Sequence, residues 1–173
     1  ASTTIGTYYL PPILARFRVT HPRIEVQLLI SNTHEVQQQF LNNELDVALT
    51  EGTVPLPDLQ ADIFAHDEIV LIAPPRSALL CDVPANLQGL SRFPLIAREA
   101  GSGTRSVVEA ALAEKNFFLR PAMVLGSTEA IKRAVSAGAG FACVPRRSVE
   151  YEVSTQLLRE VPLHDFSLAR PFH

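Results

Sequence analysis

Short apolar runs rich in branched residues alternate in this chain with stretches whose apolar residues recur every three or four positions, and few folds accommodate that alternation. Residues 24–30, 46–50, 69–73, 94–97, 122–125, 141–144 and 157–161 read as strands, the first of them as Ile24-Glu25-Val26-Gln27-Leu28-Leu29-Ile30. The stripe Leu10, Ile13, Leu14, Phe17 predicts an amphipathic helix. Pro11 and Pro12 suit its first turn, and His21-Pro22 stops it. A second helix opens at Ser31-Asn32-Thr33 and carries Val36, Phe40 and Leu41. Pro55 and Pro57 mark a loop after the strand at 46–50. Further helices are expected over 84–90, after Gly103 with Val107, Val108, Ala111 and Leu112, and after Thr128 with Ile131, Ala134 and Val135. Gly138 is placed to cap the last of these, and a short helix follows over 146–153. Strands alternating with helices imply parallel sheets with helices on their faces. The pattern runs once before Pro74 and again after Leu95, so two α/β lobes are predicted.

Composition narrows what such a fold can do. A chain of 173 residues with 47% hydrophobic content can bury a real core. A net charge of -3 and 19% charged residues argue against this chain gripping nucleic acid, which needs a concentrated basic surface. No apolar stretch nears the 18 residues of a membrane span, and no signal peptide is seen. Cys143 sits in the apolar run Gly140-Phe141-Ala142-Cys143-Val144 and reads as a small buried hydrophobe, while Cys81 falls in a loop. A disulfide between them stays open on sequence, although cytosolic thiols are kept reduced.

Four strand-to-helix turns carry the polar chemistry: Ser2-Thr3-Thr4, Ser31-Asn32-Thr33, Gly101-Ser102-Gly103-Thr104 and Gly126-Ser127-Thr128. In open α/β sheets ligands bind outside the carboxyl ends of the strands, where helix amides and hydroxyls converge and the helix dipole favours negative charge. Such groups hold a carboxylate, sulfate or phosphate, and Arg105 could add a two-pronged clamp. The competing reading of each turn is a plain helix cap. Glu51 stands out because it follows a strand end beside Thr50 and Gly52, whereas Asp67, Glu68 and Glu99 read as solvated surface. The turn at 101–105 lacks a P-loop lysine and a third dinucleotide glycine. The five histidines show no metal spacing, and no Gly-x-Ser-x-Gly elbow is present, so neither a metal site nor an enzyme is expected.

Taken together, these segments resemble a known family. Ala1-Ser2-Thr3-Thr4-Ile5-Gly6-Thr7-Tyr8-Tyr9-Leu10-Pro11, Phe17 followed at five residues by Pro22, Glu44-Leu45-Asp46-Val47-Ala48-Leu49, Gly126-Ser127-Thr128-Glu129-Ala130-Ile131-Lys132 and Ala137-Gly138-Ala139-Gly140-Phe141-Ala142 are similar to the effector-binding domains of LysR-type transcriptional regulators. Glu51-Gly52 with Arg98-Glu99-Ala100-Gly101-Ser102-Gly103-Thr104-Arg105 is most similar to the carbon-fixation and cysteine-metabolism branch. The resemblance implies a type 2 periplasmic-binding-protein-like fold of two Rossmann-like lobes with a central cleft. Lobe I would comprise residues 1–70 plus 165–173, and lobe II 71–164. It implies a cytoplasmic ligand sensor with no cofactor, taking a small anionic metabolite, pairing as a homodimer, and reaching DNA only through an N-terminal winged helix-turn-helix not seen in these residues. The candidate effector-binding residues are Ser2, Thr3, Thr4, Asn32, Thr50, Glu51, Ser102, Gly103, Thr104, Arg105, Ser127 and Thr128. Ile5 stands where some relatives have a polar residue. A solute-binding protein of a transport system, with the same fold, is the alternative reading.

Overall fold

The computed structural model describes residues 1–52, 61–81, 83–163 and 168–173. The predicted loop prolines Pro55 and Pro57 and the lobe boundary at 164/165 lie outside these residues.

The main sheet is built from β1 (Ala65–Ala73), β2 (Leu95–Arg98), β3 (Pro121–Leu125), β4 (Phe141–Pro145) and β5 (Arg159–Glu160), in the order β3-β2-β4-β1-β5, with β6 (Ala169–Phe172) paired to β1. β2 runs parallel to β3 and β4, as the alternation predicts. β1 does not: it is antiparallel to β4, β5 and β6, which makes the sheet mixed. It enters from the first half of the chain and not through a helical crossover, so no connection obliges it to run with its neighbours.

β1 also exceeds its predicted length of 69–73. Ala65 to Glu68 pair with β6 alone, and Ile69 to Ala73 with β4 and β5, so one strand serves both halves of the molecule. The polar residues His66, Asp67 and Glu68 hid this extension from a hydrophobic pattern. Beyond them both faces of the strand are covered. Val70 and Ile72 join Ile96, Val144, Ile131, Val135, Val149 and Leu158 on one face. Leu71 and Ala73 join Leu95, Phe141, Leu90 and Val161 on the other.

The helices fall where their stripes and caps put them. They are α1 (Leu10–Thr20), continuous with a π-helical turn over Ile5–Tyr9, α2 (Thr33–Leu41), α3 (Leu87–Leu90), α4 (Gly103–Glu114), α5 (Thr128–Ser136) and α6 (Arg146–Ser154). Ile131 and Val135 of α5, one turn apart, are fully buried. Gly138 takes a left-handed φ of 87° just beyond α5, as the cap expectation requires. The helix predicted over 84–90 contracts to α3, because Asn86 caps it from Gly89 N. The strand predicted over 157–161 shrinks to β5, because Leu158 N is still bonded to Glu152 O at the end of α6.

Two strand expectations fail. Residues 24–30 and 46–50 form no ladder. Among the described residues their pairing is confined to isolated bonds: the Ala1 amino group with Leu29 O, Ser31 N with Ala1 O, Ser2 N with Leu49 O, and the mutual bonds of Thr50 and His173. A strand is made by its partner's hydrogen bonds, and here Ala1, Ser2 and Thr3 supply single contacts and no continuous partner strand. Ile24, Val26, Leu29, Ile30 and Val47 are accordingly exposed. The apolar stripe of α1 is likewise left unburied. A small cluster of Ala1, Ile5 and Phe172, with Tyr9 and Leu49 against it, holds this half together.

Both cysteines are free; Cys81 is exposed, while burial pushes the Cys143 thiol up to about 12. Since the thiolate is the nucleophile, iodoacetamide at pH 8 should label Cys81 and spare Cys143 until the protein is unfolded. Mass spectrometry showing equal labelling of both in the native state would refute that.

Candidate functional site

The polar turns named from the sequence do converge, where residues 1–52 meet the ends of β2, α4 and α5. The approach is close. His34 N donates to Gly101 O at 3.1 Å. A β-carbon on Gly103 would stand 2.6 Å from Thr33 Oγ1 and 3.0 Å from Glu51 O, so only glycine fits there.

Two buried arginines organise this junction. Arg170 on β6 is fully enclosed. Its guanidinium donates to Asp67 Oδ2 at 2.6 and 3.0 Å, to Thr104 Oγ1 at 3.0 Å, to Thr4 Oγ1 at 3.1 Å and to Glu51 Oε2. The other oxygen of Glu51 accepts from Ser2 Oγ at 3.0 Å and Thr4 N at 2.8 Å. Ser2, Thr4 and Thr104, expected to grip an external anion, are thus committed to this internal network. One cation there faces two carboxylates, which leaves the corner without an uncompensated positive charge.

The second arginine is Arg98, at the carboxyl end of β2 and 4% exposed. NH1 donates to Thr128 Oγ1 at 3.0 Å and NH2 to Thr3 Oγ1 at 3.5 Å. Thr3 belongs to the first half of the chain and Thr128 is the first residue of α5, so this guanidinium bridges the two halves. Its remaining edge, Nε and NH2, meets both carboxylate oxygens of Glu99 at 2.8 Å. Partial burial pushes the Glu99 carboxyl up, but its hydrogen bonds and attraction to Arg98 outweigh that and hold it below the ordinary value.

Three further candidates act as helix caps. Asn32 accepts from Glu35 N at 3.0 Å, Ser127 from Ala130 N at 3.1 Å and Ser102 from Arg105 N at 3.5 Å. Thr50 is buried and its backbone pairs with His173. Arg105 is no clamp here: its guanidinium bonds Glu109 at 2.7 Å and Arg98 O at 3.2 Å. Asp67 and Glu99, read from sequence as solvated surface, instead pair with the two arginines.

Sequence reasoning missed Arg98 and Arg170. Arg98 had a usable signal, since it ends a strand whose carboxyl terminus points at the expected ligand region. Arg170 had none, because its acidic partners lie 103 and 119 residues away. Among the described residues no cluster of His, Cys, Asp or Glu has the makings of a metal site, and no helix is long and apolar enough to cross a membrane.

Residues 1–173 match the family described as the LysR substrate binding domain. The HTH-type transcriptional regulator YeiE of Escherichia coli K12 is 37% identical over 161 residues, covering 93% of this chain and 55% of that protein. The HTH-type transcriptional regulator CysL of Bacillus subtilis 168 is 28% identical over 170 residues, covering 98% of this chain and 57% of that protein. The chain therefore spans little more than half the length of these curated relatives. The Synechocystis PCC6803 CcmR regulatory domain, solved in complex with 2-PG, superposes with a TM-score of 0.86 at 27% identity, covering 99% of this chain and 82% of that one. The shared architecture is the type 2 periplasmic-binding-protein-like fold.

Proposed function

The chain belongs to the LysR substrate-binding domain family, and from that premise we propose that this effector-binding domain holds a small anionic metabolite between its two halves, anchored on Arg98. The observation that carries this reading is the placement of Arg98. It is a buried cation at a strand end, and its hydroxyl partners Thr3 and Thr128 come from opposite sides of the junction. The amino terminus of α5 at Thr128 adds a dipole of the same preference. A ligand bonded to both sides favours the closed arrangement over an open one, and only that difference can move the equilibrium.

The rest of the reading concerns the full protein. No cofactor takes part, and the protein works in the cytoplasm on DNA through a region outside these residues. The relatives' naming as HTH-type regulators supports that and disfavours the transport-protein alternative. Partition of the chain into lobe I, 1–70 plus 165–173, and lobe II, 71–164, belongs to the same reading. So does a homodimer through α1 and the edge strand β3. Ile13 and Val19 on α1, and Met123 and Val124 on β3, leave apolar surface uncovered.

Calorimetric titration of the chain with inorganic phosphate, sulfate, small carboxylates and sugar phosphates tests the anchor. At least one should bind the parent protein. Arg98→Gln should weaken that binding by tenfold or more, since a hydrogen bond to a charged group contributes about 1.5–3 kcal/mol. Equal affinity in the parent and Arg98→Gln would put the ligand elsewhere.

A further inference from the structure

We propose that Glu99 is an intramolecular competitor for the anion site: its carboxylate occupies the edge of Arg98 that an incoming ligand must take. The inference rests on the reading of Arg98 as the ligand's anchor. Arg98 and Glu99 meet edge to edge, Nε with Oε2 and NH2 with Oε1, each at 2.8 Å. That fork-to-fork arrangement is the one an external carboxylate, sulfate or phosphate would make. The rest of the guanidinium is already engaged, NH1 by Thr128 and NH2 by Thr3. An anion therefore cannot match both nitrogens of the free edge while Glu99 remains.

The two partners differ in what they can do next. Arg98 is held, with its side chain 4% exposed and bonds into both halves of the molecule. Glu99 is 26% exposed and, among the described residues, its one side-chain partner on another residue is Arg98, so it can swing into water without uncovering a core. As the next residue in the chain it stands at high effective concentration, which raises the threshold an external ligand must pass. It also filters by shape. A ligand must present two oxygens at the spacing of the Nε and NH2 edge, which an oxyanion does and a spherical halide does not. Specificity of this kind comes from the incumbent as well as from the attraction.

Sulfate and inorganic phosphate are the probes, titrated at fixed ionic strength into the parent, Glu99→Gln, Glu99→Ala, Arg98→Gln and the double variant Arg98→Gln with Glu99→Gln. Circular dichroism of each variant confirms its fold. Glu99→Gln and Glu99→Ala should bind these oxyanions at least tenfold more tightly than the parent, chloride should gain little, and the double variant should bind neither oxyanion. Oxyanion affinity equal to or below the parent's in both Glu99 variants would overturn the competitor role and make Glu99 a positioning residue or a bystander. If the parent binds and Arg98→Gln does not, that failure leaves the anchor reading standing. If no protein in the series binds either probe, the anchor reading falls and the competitor with it.

Discussion

Arg170→Gln is expected to lower the unfolding free energy by about 3–5 kcal/mol, the loss that follows when one partner of a buried ionic network is removed. Glu51 and Asp67 are 3% and 2% exposed, and among the described residues Arg170 is the cation bonded to both. Glutamine leaves two buried carboxylates without a counter-charge, and neither can reach water. Ser2 Oγ and Thr4 N still solvate one oxygen of Glu51, so the larger penalty falls on Asp67, whose one remaining side-chain partner among the described residues is Tyr9 Oη at 3.4 Å. The substitution also loosens β6, because Arg170 pairs its strand with Asp67 of β1 in register. Urea unfolding at pH 7 measures the effect. A loss under about 1 kcal/mol would mean that the network contributes no more than an exposed ion pair does.

Gly140→Ala is the second large effect, with a loss above about 3 kcal/mol. Gly140 has a φ of 147°, where side chains are strained, and a β-carbon there would sit 2.1 Å from Pro94 O. That oxygen accepts the hydrogen bond of Phe141 N at 2.9 Å, and Phe141 is wholly buried opposite Leu95. Relief of the clash must therefore part β4 from β2 at the start of their pairing. Backbone strain of about 1–3 kcal/mol adds to an overpacking penalty of similar size. Gly138→Ala is the control. Its φ of 87° is also left-handed, but nothing lies within 4 Å of the added carbon, so it should cost about 1 kcal/mol. Equal losses in the two variants would show that φ alone, and not the contact with Pro94, governs this turn.

The helices and the central strands were readable because their signals are local. The stripe Ile131, Val135 and the cap Ser127 are a few residues apart, and neighbouring residues alone decide whether a helix starts. The apolar run at 69–73, rich in branched residues and closed by Pro74-Pro75, read as a strand for the same reason. The turns at 2–4, 101–104 and 126–128 were found by the same local chemistry, and the chain brings them together at one junction. Caps and ligand groups use the same residue types, however, so the sequence could not say which hydroxyls are free. Ser2, Thr4 and Thr104, read as ligand groups, bond Glu51 and Arg170 in the structure.

By itself, then, the sequence determined the α/β alternation, the family and the neighbourhood of the site, all of which rest on spacings within a few residues. Tertiary structure decided the rest. It turned β1 antiparallel, withheld ladders from 24–30 and 46–50, and chose which acid meets which arginine. Those outcomes depend on partners up to 119 residues away, and a charge buried in a protein is defined by the groups that surround it, not by its neighbours in the chain.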